Sequence, residues 1–239
     1  MRYLDRVFAT PEEELACDEV LLELCEEHTD GEVLRVWQPR SRFVVLGYTN
    51  EASREVNLAA CAAEGVAVYR RTSGGGTIVQ MPGCLNYAVV LRQDGDPALA
   101  GIPGTNRFVL ERIAAAVSTL TSEPVKVRGK TDLCVGELKC AGNAQRRRSR
   151  ALLFHGTLLL HADIEGIERL LPFPSAQPDY RKDRSHRDFL VNLGIDPAAV
   201  TAVLQTAWHA HTPYDKEFEA RLATLAGEKF GSRGWTMRK

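Results

Sequence analysis

The sequence predicts an α+β chain: mixed, largely antiparallel sheets flanked by helices. Three observations lead there. Short β-rich runs come in clusters instead of alternating strictly with helices. Two of the clusters are joined by turn signals, Met81-Pro82-Gly83 and Gly136-Glu137. The glycine-rich stretch from Gly74 to Val79 lacks the third glycine of a dinucleotide fingerprint, and no helical pattern follows it, which argues against a doubly wound sheet.

Each element has a local reason. Thr10-Pro11-Glu12-Glu13 opens a helix: Thr10 caps, proline suits the first helical position and Glu13 completes a capping box. Leu15, Leu21, Leu22 and Cys25 give that helix an apolar stripe ending near Glu27. Val33 to Trp37 and Phe43 to Leu46 read as strands split by the turn residues Pro39-Arg40-Ser41. Asn50 to Glu64 is Ala-rich and helical in pattern, with Gly65 as its stop, and Val66 to Tyr69 is a short strand. Thr77 to Val79 and Asn86 to Leu91 are strands, followed by a loop from Gln93 to Gly104 and a helix capped by Thr105 and running to about Leu120. Val125 to Val127, Leu133 to Val135, Leu138 to Ala141 and Ala151 to His161 are strands. Ile164 to Leu171 is a short helix, Pro172 to Arg187 a Pro-interrupted polar segment, and helices over Pro197–His209 and Pro213–Ala226 close the chain.

Composition bounds the function. With 239 residues, 44% hydrophobic and 26% charged, the chain suits one soluble globular domain over residues 1–239. A net charge of −1 provides no global positive field for nucleic acid. No apolar run approaches the ~20 residues of a membrane span, and Met1 to Arg6 is not followed by a signal-peptide core, so the expected location is the cytoplasm. Cysteines at 17, 25, 61, 84, 134 and 140 form no C-x-x-C pair and read as buried thiols.

The stretch Arg70-Arg71-Thr72-Ser73-Gly74-Gly75-Gly76-Thr77-Ile78-Val79 carries the chemistry. Three successive glycines suit a backbone that a ligand approaches closely, and exposed N–H groups there form an anion-binding nest beside two arginines. A plain glycine-rich hairpin is the competing reading. Gly129-Lys130-Thr131 imitates the end of a Walker A loop, but Pro124 stands where the earlier glycine is needed. Arg146-Arg147-Arg148-Ser149-Arg150 reads as a solvated hairpin tip.

A second constellation lies further on: Lys130-Thr131-Asp132-Leu133, then Lys139-Cys140-Ala141-Gly142-Asn143-Ala144-Gln145, then Phe154-His155-Gly156-Thr157-Leu158. It joins an acid, a lysine beside small residues that let a ligand approach, and a histidine entering an apolar strand. Arg-Arg-x-Ser-Gly-Gly-Gly, Lys-x-x-Gly-Asn-Ala-Gln and His-Gly-Thr-Leu-Leu, in that order, resemble the lipoate–protein ligase family of the biotin/lipoate ligase and octanoyltransferase superfamily. The resemblance runs from the N-terminal helix through Asn192.

It implies a biotin/lipoate-ligase-like catalytic domain that adenylates lipoate with ATP and Mg2+, then transfers the acyl group to a lysine of an acceptor lipoyl domain. On this chain the resemblance places Arg70, Arg71, Ser73, Gly74, Gly75, Gly76, Thr77, Ile78 and Val79 at the nucleotide. It makes Lys139 the catalytic lysine at the lipoyl carboxylate and α-phosphate, and puts Gly142 and Asn143 beside it. It places Asp132 where magnesium is held and His155 beside the ligand, with a core role for His155 left open. Val44, Leu46 and Leu85 are the expected lining for the acyl tail.

Two rival functions stand beside this one. Superfamily acyltransferases move octanoate through a cysteine thioester. At the positions of such a cysteine, within Pro124–Arg128 or near Leu171–Pro178, this chain has none. Cys140, next to Lys139, is the remaining candidate, with a thiol acidified by that charge. The other rival is a non-catalytic binder of lipoate or its adenylate. The chain also departs from the bacterial ligases by carrying Gln80-Met81 where they place His-Asp. Residues 193–239 are too few for the separate accessory domain of bipartite ligases, so either the chain works without it or a second polypeptide supplies it.

Overall fold

The computed structural model describes residues 1–27 and 31–238. In chain order the elements are β1 (Arg2–Leu4), α1 (Pro11–Glu26), β2 (Val33–Trp37), β3 (Phe43–Leu46), α2 (Ala52–Glu55), α3 (Leu58–Ala63), β4 (Ala67–Arg70), β5 (Ile78–Gln80) and β6 (Cys84–Arg92). There follow α4 (Gly101–Ser118), β7 (Val125–Arg128), β8 (Asp132–Val135), β9 (Leu138–Arg147), β10 (Ala151–Leu159) and α5 (Ile164–Leu170). The chain closes with α6 (His186–Phe189), α7 (Pro197–Ala207), β11 (Thr212–Pro213), α8 (Glu219–Leu225) and α9 (Arg233–Thr236). Among the described residues no helix is long and apolar enough to cross a membrane.

An eight-stranded sheet in the order β11-β1-β2-β6-β10-β9-β8-β7 stands beside a three-stranded sheet, β4-β3-β5. In the large sheet only β1 makes parallel pairs, with β2 and β11. The long antiparallel ladder of β6, β10 and β9 forms the centre. Alternation along these strands divides the core. Leu34, Val36, Tyr87, Val89, Leu152 and Phe154 pack toward α4 and α7. Val33, Trp37, Ala88, Val90, Ala151 and Leu153 pack toward α1 and α8. With both faces covered, the central strands read as continuous apolar runs. The same period of two sends Arg35 and His155 to the α1 side, among the charged residues of that helix.

Helix α1 starts as its sequence demands: Thr10 Oγ accepts from the Glu13 N–H at 3.3 Å, and Glu13 returns a bond to the Thr10 N–H. Such a cap is worth about 1 kcal/mol. Several boundaries differ from expectation. Strand β9 runs past Ala141 to Arg147, so Arg146 and Arg147 belong to the strand and not to the hairpin tip. The stretch 50–64 is two short helices, because Val56 is extended and Asn57 caps afresh with its side chain. Helix α4 begins at Gly101, so Thr105 is not its cap but an interior residue donating to the Leu99 and Gly101 carbonyls. The last long helix begins at Glu219, since Thr212–Pro213 is drawn into the sheet edge beside β1. Within Pro172–Arg187 lie a short turn at Asp179–Arg181 and the start of α6.

Candidate active site

A cavity of about 710 Å³ opens where the two sheets meet, walled by α1, the glycine turn, β5, β6, β9, β10 and the segment 171–190. Gly75, Gly76, Thr77, Ile78, Val79, Asp132, Lys139, Gly142, Asn143 and His155 all line it, so both sequence constellations converge on one place.

The glycine turn is internally braced. Gly75 has φ +85°, a left-handed conformation that favours glycine. Arg71 is buried and lies in the cavity wall, yet its guanidinium turns onto the loop. Nη2 donates to the Gly74 and Gly76 carbonyls at 2.6 and 2.8 Å, and Nε donates to Ser73 Oγ at 3.0 Å. Burial pulls the Arg71 pKa down to about 10. Arg70 does not line the cavity at all. It is fully buried on the far side, donating to the carbonyls of Gly47, Tyr48, Asn50, Trp235, Thr236 and Arg238, and so clamps the C-terminal segment to the loop after β3. Ser73 and Gly74 also lie outside the wall. Ser73 is fully buried, with its hydroxyl 2.6 Å from His155 Nε2.

From His155 a polar chain runs into the core. Nδ1 is 2.8 Å from Asp18 Oδ2, and Asp18 Oδ1 accepts from Arg35 Nη1 at 3.0 Å. Arg35 also pairs with Glu14 and stacks between Phe8 and Trp37. Burial pushes the Asp18 carboxyl up, but His155 and Arg35 outweigh it and hold the group below its ordinary range. An ionised Asp18 only accepts, so the His155 proton on that side sits on Nδ1.

On the opposite wall Lys139 Nζ pairs with Asp132 Oδ1 at 2.7 Å, and Tyr180 Oη donates to Asp132 Oδ2 at 2.7 Å. Asn143 donates to the Thr131 carbonyl at 2.8 Å and accepts from the buried Tyr87 hydroxyl. Gly156 is required there, because a Cβ would stand 1.8 Å from Asn143 Oδ1. Deeper in, Gln80 forms a closed amide cluster, donating to Asn86 Oδ1 at 2.8 Å and Thr157 Oγ1 at 2.9 Å. Among the described residues no group of three or more His, Cys, Asp or Glu side chains is placed to hold a metal.

Two expectations about individual side chains need correction. Val44 and Leu46 face a separate core cluster and Leu85 the main one; strand alternation instead brings Val45, with Leu15, Trp37 and Ile78, to the cavity. At Cys140 burial outweighs the Lys139 charge, so the thiol is not acidified. It is fully buried, donates to the Leu133 carbonyl, and has its pKa pushed up to about 12 by burial. Cys17 is pushed to about 12, Cys25 and Cys84 to about 11, and Cys61 and Cys134 also upward, each by burial. All six thiols are free and buried, as expected.

The sequence reading missed Asp18, Tyr180, Arg181 and His186, all of which are buried or hydrogen-bonded at the cavity. Asp18 left a signal: it stands three residues from both Leu15 and Leu21, an acid interrupting an apolar stripe. The others lie in a segment without periodicity.

Comparison with known proteins agrees with this geometry. The lipoyl protein ligase A/B catalytic domain family matches residues 10–195. A lipoate-protein ligase A homologue of Aeropyrum pernix is 36% identical over 163 residues, 68% of this chain and 58% of that protein, so the match spans little more than half the relative's length. Octanoyltransferase LipM of Brevibacillus brevis is 26% identical over 80% of this chain and 77% of its own. The bipartite lipoate protein ligase of Thermoplasma acidophilum, solved in a study with its E2 lipoyl domain, superposes with a TM-score of 0.80 at 22% identity, covering 99% of this chain and 95% of that one. An ATP-bound lipoate-protein ligase A superposes with a TM-score of 0.77 at 26% identity, covering 99% and 98% of the two chains. With the glycine turn, Lys139 and His155 gathered at one cavity and the family matching most of its length, the chain belongs to the lipoyl protein ligase A/B catalytic domain family.

Proposed function

We propose that the chain is an ATP-dependent lipoate–protein ligase, not a thioester-forming octanoyltransferase. The observation that carries this choice is the state of the cysteines. Each thiol is buried and driven toward its neutral form, and none lines the cavity among the described residues. A thioester enzyme needs the reverse, a thiolate at the ligand.

In this reading the lipoate carboxylate attacks the α-phosphorus of ATP, and pyrophosphate leaves. The ε-amine of an acceptor lysine then attacks the acyl carbonyl, and AMP leaves. Lys139 meets the charge that builds on the α-phosphate and carboxylate oxygens, held ready by Asp132. Gly75 and Gly76 offer bare backbone to the phosphates, while Leu15, Trp37, Val45 and Ile78 line the slot for the acyl tail. Magnesium bound to the nucleotide would supply charge neutralisation there, and of the wall carboxylates Asp132, beside Lys139, would hold it. The acceptor is a lipoyl domain, and a separate polypeptide supplies the accessory function. The bipartite relative with its E2 lipoyl domain supports both statements, and the ATP-bound relative supports the nucleotide.

The test is lipoate-dependent exchange of labelled pyrophosphate into ATP, run beside acyl transfer from octanoyl carrier protein. We expect exchange by the purified chain, with its accessory polypeptide if required, and its loss in Lys139→Ala. Acyl transfer without exchange would give the site to the transferase chemistry.

A further inference from the structure

Beyond the residues matched by sequence, the segment after α5 brings one more cation to the cavity. Arg181 lies in the cavity wall and is 5% exposed. Its Nε donates to the Arg184 carbonyl at 2.9 Å, and its guanidinium stacks on Phe173 at 5.0 Å and Phe189 at 4.8 Å. Its Nη2 is buried with no hydrogen-bond partner, and no carboxylate among the described residues pairs with it. The other buried or half-buried basic residues of the wall are engaged: Arg71 on loop carbonyls, Lys139 on Asp132. The neighbouring His186 is neutral at physiological pH, its pKa pushed down to about 4 by burial and the Arg181 charge, so it gives the guanidinium no counter-charge.

A buried cation with a spare donor is costly unless something pairs with it. Here Asp132 and Glu168 offset the charge from a distance, but among the described residues no carboxylate bonds it, and the side chain borders a ligand cavity. We propose that Arg181 binds an oxyanion of the ligand, turning from between its two aromatic rings to meet a phosphate of the nucleotide or the carboxylate of the acid. Guanidinium suits either, because its paired donors match two oxygens of one group. The choice between these two sources rests on the ligase reading above.

Binding by calorimetry separates them. The probes are Mg·ATP and octanoate, each beside its uncharged counterpart, adenosine and octanamide, on wild type, Arg181→Gln and Arg181→Lys. We expect Arg181→Gln to weaken one of the two anions about ten- to hundredfold. Its uncharged counterpart should bind as to wild type, and Arg181→Lys should recover part of the loss. Ligand-free Arg181→Gln should melt no lower than wild type, because it removes an unpaired buried charge. If Arg181→Gln does not fold, Arg181→Lys carries the comparison, its shorter reach and lost fork predicting weakening of the same anion.

If wild type binds octanoate but not ATP, the ligase reading fails, while Arg181 is still judged on octanoate against octanamide. The proposal is overturned if both anions bind the variants as they bind wild type. It is also overturned if charged and uncharged probes weaken alike, which marks a merely structural role, or if wild type binds neither anion.

Discussion

The two long walls of the cavity are built on opposite principles. On the side of the glycine turn, Arg71, Ser73, His155, Asp18 and Arg35 form a continuous polar chain from the turn to the core of α1. Nearly every donor in it has a protein acceptor, so this wall is complete before any ligand arrives. On the side of segment 171–190 the order is sparser: one tyrosine anchors the segment to Asp132, and Arg181 keeps an unspent donor. The difference teaches where binding energy enters. The first wall presents backbone and shape, held in place by its arginines. The second presents a guanidinium with a donor that no acceptor among the described residues meets.

The largest effect should come from breaking the completed wall at Asp18. Asp18→Asn leaves Arg35 and His155 short of a buried negative charge, and removing one partner of such a group costs about 3 kcal/mol or more. Denaturant unfolding at neutral pH measures it. The native Asp18 pKa is depressed, so its stabilisation is present above the unfolded carboxyl pKa of about 3.9 and fades as pH falls through the lower native value. The gap between wild type and variant should therefore close only in strong acid.

A smaller effect of distinct origin belongs to the sparse wall. His186 is held neutral, its pKa pushed from 6.5 to about 4 by burial and then by Arg181. The unfolded chain binds a proton that the native one refuses between these values, so stability falls as pH drops through that window. Between pH 7.5 and 5 the loss should be about 2 kcal/mol. Midpoints of urea unfolding across that range should slope for wild type and flatten for His186→Gln. An unchanged slope would remove His186 as its source.

These two residues also show what a sequence discloses. Strands β2, β3 and β6, the capping box of α1 and the hairpin at Gly136 were legible because each depends on neighbours in the chain. Gly75, Gly76, Lys139 and His155 were legible as motifs, and they do meet at one cavity. Their hydrogen-bonding roles were not, because they depend on partners far along the chain. Arg70 and Arg71 look equivalent on paper, yet strand alternation at the end of β4 sends one to the C-terminal carbonyls and the other to the glycine turn. Val45 displaced its neighbours Val44 and Leu46 at the cavity for the same reason. Tyr180, Arg181 and His186 follow no period, and only tertiary contact gives them meaning.

The smallest effect concerns the tie between the two walls' chemistry and the sparse segment. Tyr180 Oη donates to the Asp132 oxygen that Lys139 leaves free, so one hydroxyl joins the segment to the Lys139–Asp132 pair. Tyr180→Phe keeps the ring against Phe189 and deletes that bond together with the hydroxyl's contact with Cys134 Sγ at 3.4 Å, which should lower global stability by about 1 kcal/mol. Its local consequence is greater. The described residues give the segment no side-chain hydrogen bond to Asp132 other than this one, so local opening should become more frequent there without loosening the sheets. Limited proteolysis reads this directly: cleavage within residues 172–185 should accelerate in Tyr180→Phe, while the β6–β10–β9 ladder stays protected. Equal cleavage in both proteins would mean that the hydroxyl is dispensable and that aromatic packing, with the bonds of Ser175 to Glu55 and of Arg184 to the Glu137 carbonyl, holds the segment. The sparse wall would then be as self-sufficient as the other.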